Sequence, residues 1–139
     1  MSLTLEQAKQ EVWRVEDELV AFVPAGSITT QYPRSETSRV IFECEAPGTY
    51  YWPGGVQLGL APEADSAVIL GAIHDEWATR DDWTVSWVDT GAEGAYQLDL
   101  LRRDGLHVGV MNLKSNTVLD FRTFSPCFEL ADYDPNKDY

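Results

Sequence analysis

The sequence predicts an α+β fold: two helices packed on one face of a mostly antiparallel sheet, in the order α-β-β-α-β-β-β-β. Three observations lead there. Two stretches carry apolar residues at steps of three and four, the period of a helix with one buried side. Other, shorter stretches alternate apolar and polar residues, the period of a half-buried strand. The last of these are separated by glycine turns and an Asp-Gly pair, so successive strands fold straight back on one another.

The first helix opens at Thr4, a capping residue, and Gln7 stands three residues on, where it can complete a capping box. Leu5, Ala8, Val12, Val15, Leu19 and Phe22 form its apolar stripe, with Lys9, Glu16 and Asp17 expected on the opposite, solvated face. Pro24-Ala25-Gly26 stops it, and the polar stretch 25–38 reads as loop. A strand is expected over Arg39–Glu45 with Val40, Phe42 and Cys44 on one face. Tyr50–Leu60 reads as a second extended stretch. Pro53-Gly54-Gly55 within it favours an edge, a bulge or a bend over a central strand.

Pro62, Glu63 and Asp65 introduce the second helix, whose positive N-terminal end favours acids. Val68, Ile69, Ala72, Ile73 and Trp77 are its expected buried stripe, and Asp81-Asp82 ends it. Trp83, Val85 and Trp87 then alternate with Thr84 and Ser86. Gly91 and Gly94 bracket a turn before Tyr96, Leu98 and Leu100, and Asp104-Gly105 joins Leu98–Arg103 to Leu106–Leu113 as a hairpin. Ser115-Asn116 turns the chain into Val118–Phe124, and Ser125-Pro126-Cys127 closes the sheet. Trp77 and Trp83 should lie close together, where the second helix meets the sheet.

With 139 residues the chain is about one domain, expected over 4–128, followed by an acidic tail at 129–139 that should be mobile. Hydrophobic residues make up 44%, enough for a sizeable core. Ten basic against 23 acidic residues leave a net charge of -13, which argues against nucleic acid as a partner. No apolar run approaches the ~18 residues of a membrane-spanning helix. Two cysteines exclude a zinc finger and a dense disulfide scaffold. The first residues show no basic stretch followed by an apolar run, so any export signal is expected upstream of residue 1.

Candidate chemistry is sparse. His74-Asp75-Glu76 groups an imidazole with two carboxylates, but a zinc site needs three or four converging ligands, and a solvated helix face explains the triplet. His107 follows the Asp-Gly turn as a surface strand residue. Ser66, Ser86 and Ser125 lack the elbow context of a hydrolase nucleophile, and no glycine-rich loop precedes a helix. In the tail, Asp132, Asp134, Asn136 and Asp138 alternate like half a calcium loop, but Lys137 holds the place that needs glycine. The expectation is no catalytic residue, no metal and no cofactor. The aromatic run Tyr50, Tyr51, Trp52 is the candidate binding element, read either as packing or as a recognition surface.

Several short motifs resemble those of the small exported lipoproteins common in actinobacteria. They are the strand carrying Cys44, the helix ending in Trp77, and Asp82-Trp83-Thr84-Val85 opening a strand. Arg103-Asp104-Gly105-Leu106 and Ser125-Pro126-Cys127-Phe128 complete the pattern. Such relatives often carry glycine where this chain has Asp82. The resemblance implies an envelope location and a Cys44–Cys127 bridge, and no particular activity. The alternative for the cysteines is two buried free thiols. On this reading the protein is secreted or held at the extracellular face of the membrane, by a lipid anchor lying outside this chain. It acts by binding a protein or another envelope component. Two alternatives stand beside it: a cytosolic acidic interaction protein of the immunity type, whose charge would speed capture of a cationic partner, and a small hydrolase using His74 or His107.

Overall fold

The computed structural model describes residues 3–113 and 116–139, so the Ser115 half of the expected Ser115-Asn116 turn lies outside the described residues. Helix α1 spans Leu5–Phe22 and begins with the expected capping box: the Gln7 amide donates to Thr4 Oγ1 at 3.1 Å, and the Thr4 amide donates to Gln7 Oε1 at 3.0 Å. Helix α2 spans Ser66–Trp77, capped by Asp65, whose carboxylate accepts from the amides of Ala67 and Val68.

Among the described residues nine strands follow as β1 (Ile28–Gln31), β2 (Phe42–Glu43), β3 (Thr49–Tyr51), β4 (Pro53–Leu60), β5 (Trp83–Val88), β6 (Gln97–Arg102), β7 (His107–Leu113), β8 (Val118–Phe124) and β9 (Phe128–Glu129). Six make one antiparallel sheet in the order β1-β4-β8-β7-β6-β5, and three make a second in the order β2-β3-β9. The α+β class and its element order are therefore as the sequence predicts. The Asp104-Gly105 turn closes β6 onto β7, with Gly105 at φ 99°, a conformation that glycine adopts without steric cost.

Both helices cover one face of the six-stranded sheet. Val15 and Leu19 of α1, with Leu70, Ile73 and Trp77 of α2, meet Leu58, Leu98, Leu100, Val110, Leu119 and Phe121 in the main core. Successive side chains on these strands point to opposite faces, so this face is apolar, while the other face is covered by neither described helix. A smaller second core joins Ala8 and Val12 of α1 to Ile41, Trp52, Phe128 and Tyr139.

The differences from the sequence reading concentrate around that second core. Lys9 and Glu16, expected on the solvated side of α1, are buried, because α1 is covered by the small sheet and the 32–41 segment as well as by the main sheet. Lys9 Nζ lies 5.2 Å from the Trp52 ring. The stretch 25–38 is not all loop: β1 pairs with the second half of β4. The strand expected over Arg39–Glu45 shrinks to β2, and its faces are inverted. Ile41 is buried, while Val40 and Phe42 are exposed, because the second core needs an apolar group at Ile41.

The Tyr50–Leu60 stretch breaks at Trp52. The first half of β4 pairs only with β8, as an edge would, but Leu58–Leu60 lies between β1 and β8. Gly54 permits the contact with α1, since a Cβ there would meet the Trp52 ring at 2.7 Å and Val12 at 2.8 Å. On α2, Val68 is 66% exposed and Ala72 is also exposed, while Leu70 is buried; the buried stripe is rotated about the helix relative to expectation.

The tail expected to be mobile is packed. The Leu130 amide donates to Gly48 O, Ser38 and Tyr139 exchange backbone hydrogen bonds, and the Tyr139 ring is buried. Tyr139 supplies a surface the second core lacks, and Tyr133 packs against that core. The fold therefore runs past 128 to the last residue.

Candidate binding surface

The three aromatics singled out in the sequence do not act together. Successive residues of β3 point to opposite sides, so Tyr50 turns inward against Phe128 and Tyr133, and Tyr51 turns outward. Trp52 sits where β3 gives way to β4 and is 0% exposed. Its amide donates to Ser125 Oγ at 2.8 Å, and its Nε1 donates to Tyr139 O at 3.0 Å. It is a core residue and presents nothing to a ligand.

Tyr51 instead belongs to an aromatic row on the free face of the sheets. Phe42 stacks on it at 5.1 Å, and Phe124 meets it edge-on at 5.9 Å. His107 then stacks on Phe124 at 5.9 Å. Strand register builds this row: Phe42 is opposite Tyr51, His107 opposite Phe124, and Leu101 opposite His107. Phe42 is 40% exposed and Leu101 48%, large apolar side chains left in water at the two ends. The sequence reading missed Phe42, Leu101 and Phe124 as surface residues. The Asp104-Gly105 hairpin was the available signal, since it fixes Leu101 beside His107.

Between these rings lies a hollow of about 220 Å³ lined by Tyr51, Gly105, His107, Phe124, Ser125 and Cys127. Sites for drug-sized ligands usually measure about 300–1,000 Å³, so this one accommodates a single side chain or ring. The Cys44–Cys127 disulfide borders it, joining the end of β2 to the start of β9 with Cα atoms 6.4 Å apart. Bridges of this kind persist in oxidising compartments, which points to a non-cytosolic protein. No described helix is long and apolar enough to cross a membrane.

The hydroxyl and imidazole in the hollow are not arranged for nucleophilic chemistry. Ser125 Oγ accepts from the Trp52 amide and donates to Pro126 O at 2.7 Å. His107 Nε2 faces Asp99 Oδ1 at 3.6 Å. His74 lies on the helical side, stacked on Trp87 at 5.6 Å with Nδ1 3.0 Å from Asp75, so the two histidines do not meet. Among the described residues no group of three His, Cys, Asp or Glu side chains converges.

Charge is organised at the helical end instead. Arg102 pairs with Glu11 at 2.6 Å and Asp104 at 2.8 Å, and Arg80 pairs with Glu18 and Glu76. The hydrogen bond from Arg14 holds the Glu11 carboxyl below its usual range against the effect of burial, with Arg102 assisting. Burial pushes Asp104 up, but Arg102 and the Leu106 amide together hold it low. Trp77 and Trp83 line one hollow at this end, as expected, with the Arg80 guanidinium 4.0 Å from the Trp77 ring and that of Arg102 5.8 Å from Trp83.

No family model, curated protein or solved structure matches the chain.

Proposed function

We propose that the protein is an exported cell-envelope domain, secreted or tethered by a lipid anchor at the outer face of the membrane, that acts by binding. The observation that carries this reading is the disulfide at the border of an exposed aromatic row. An oxidising compartment supports the bridge, and Phe42, Tyr51, Phe124 and Leu101 are the residue types that supply contact area at interfaces. A hollow sized for one side chain suits an anchor residue of a partner protein or envelope component. Binding is favoured over catalysis because Ser125 Oγ is committed to backbone groups, and His107 meets Asp99 and the Phe124 ring instead of a hydroxyl or thiol.

The test is where the native full-length protein resides and how its thiols stand. Fractionation should place it with the envelope or outside the cell, resistant to thiol reagents until reduced. Recovery from the cytosol with two reactive thiols would overturn the reading. A Tyr51→Ala, Phe124→Ala double variant should remain folded and lose retention on the envelope fraction if a partner holds the secreted form.

A further inference from the structure

A strand at the rim of a sheet presents unpaired N–H and C=O groups, and proteins normally blunt such edges with bulges, prolines, charges or very short strands. Among the described residues, three of the four edge strands are blunted. β2 and β9 are two residues each, and β1 is four residues with a register shift between Ile28 and Thr30. The fourth, β5, is six residues long and pairs with β6 without interruption from Trp83 to Val88. It has neither proline nor charge, and all its residues but Ser86 are of the β-branched and aromatic types enriched in strands.

The direction of its free groups follows from the ladder. Arg103 donates its amide to Asp82 O, so by alternation Thr84, Ser86 and Val88 turn toward β6. Trp83 turns outward and its amide donates to Arg80 O at 3.1 Å, which leaves Val85 and Trp87 presenting both N–H and C=O outward. The flank above them is accessible. Trp87 is 46% exposed beside His74, and a Cβ on Gly71, one turn back on the same helix side, would meet nothing within 4 Å.

Charge then selects the occupant. Asp81 and Asp82 stand at one end of β5 and Asp89 at the other, and none has an ion-pair partner among the described residues. Two copies can pair antiparallel only with outward residues opposite one another, Val85 on Val85, a register that brings the Asp81-Asp82 end of each copy beside the Asp89 end of the other, on chains each carrying a net charge of -13. Self-pairing is therefore repelled. We propose that β5 is a docking edge for an extended segment of a partner polypeptide, apolar or β-branched at its centre and basic at both ends, which adds to the sheet as a seventh strand. Acids at both ends of β5 make the match independent of the segment's direction. The edge is separate from the aromatic row, so this assignment stands apart from the function proposed above.

The probe is a synthetic peptide of alternating valine and threonine with two lysines at each end, compared with the same peptide carrying glutamates instead. Amide exchange in the labelled, oxidised protein should slow at Val85 and Trp87 when the lysine peptide is added, by about tenfold or more at saturation. The glutamate peptide should bind at least about tenfold more weakly, and salt should narrow that gap. An Asp82→Lys, Asp89→Lys variant, altered only at exposed positions, should reverse the preference. Val85→Pro, which removes an outward N–H, should abolish protection of Trp87 while leaving the rest of the spectrum in place. Equal binding of both peptides, protection confined to another surface, or dimerisation of the free protein through β5 would each overturn the proposal.

Discussion

The two cores of this molecule are built in opposite ways. The main core gathers α1, α2 and the strands β4 to β8, and each contributor is a regular element presenting a periodic apolar face. The second core gathers single residues from five separate segments: Ala8 and Val12, Ile41, Trp52, Phe128 and Tyr139. No ladder longer than two register pairs joins β2, β3 and β9 to one another. What holds the second core is the disulfide, the Trp52 hydrogen bonds and the Ser38–Tyr139 pairing. The candidate aromatic row lies where the two regions meet, so its geometry depends on the weaker of them.

The largest expected effect comes from breaking that staple. Closing a loop across a sequence separation of 83 corresponds to about 4–5 kcal/mol in the chain-entropy treatment, an upper figure when strain and residual structure intervene. A Cys44→Ser, Cys127→Ser variant should lose much of its stability, and its hydrogen exchange should accelerate first in 42–51 and 128–139. If β6 and β7 open together with β3, the two cores are one cooperative unit and the contrast fails. Trp77→Ala probes the other side. This residue is 1% exposed within the main core, and its loss should cost about 3–5 kcal/mol as a single global transition in urea.

A smaller pair of changes sharpens the comparison. Trp52 and Trp77 are both buried, but Trp52 Nε1 donates to Tyr139 O, whereas Trp77 Nε1 has no hydrogen-bond partner. Trp77→Phe removes a donor that was never paired. Trp52→Phe removes one of two donors to Tyr139 O, which keeps the Ser38 amide, an added cost of about 0.5–1.5 kcal/mol, and should loosen the tail. Thermal denaturation of the two variants, with proteolysis of the tail as a second readout, would expose the asymmetry; equal losses would remove it.

The same contrast explains what could be read from the sequence. The main core was legible because Leu98, Leu100, Val108 and Val110 alternate, and because Thr4, Asp65 and Asp104-Gly105 mark element ends with local chemistry. The second core was not, since Ile41 and Tyr139 acquire their partners only through contacts distant in the chain. Tyr139 in particular stands in an acidic, aperiodic tail, where composition favours solvent and only its packing with Trp52, distant in the chain, argues otherwise. Of the candidate site, Tyr51 and the cysteines were legible. Phe42 was assigned to the wrong face because the neighbouring Ile41 was not known to be needed inside.

The smallest effect is one of slope with pH, and it turns on Glu16, which lies on α1 under the 32–41 segment. The carboxyl is fully buried, with Oε1 accepting from Arg34 Nη1 at 3.0 Å and Oε2 without a hydrogen-bond partner. Burial raises its pKa above the usual 4.5, against the pull of Thr123 and Arg34. The folded protein then holds this proton more tightly than the unfolded chain, so Glu16's contribution to stability is largest below 4.5 and falls as pH rises through the raised value. Glu11 and Asp104 act in the opposite sense. Their folded values lie below 4.5 and 3.8, so their contribution is present above those values and is lost as pH falls further. Glu16→Gln should therefore remove the falling limb toward neutral pH and leave the acid limb unchanged. The amide oxygen can still accept from Arg34, and Arg34 keeps Asp17, so the variant should fold. Urea midpoints measured from pH 4 to 8 should diverge upward for the glutamine variant as pH rises. Parallel curves would mean that Glu16 titrates as it does in the unfolded chain and that the 32–41 segment is too open to desolvate it.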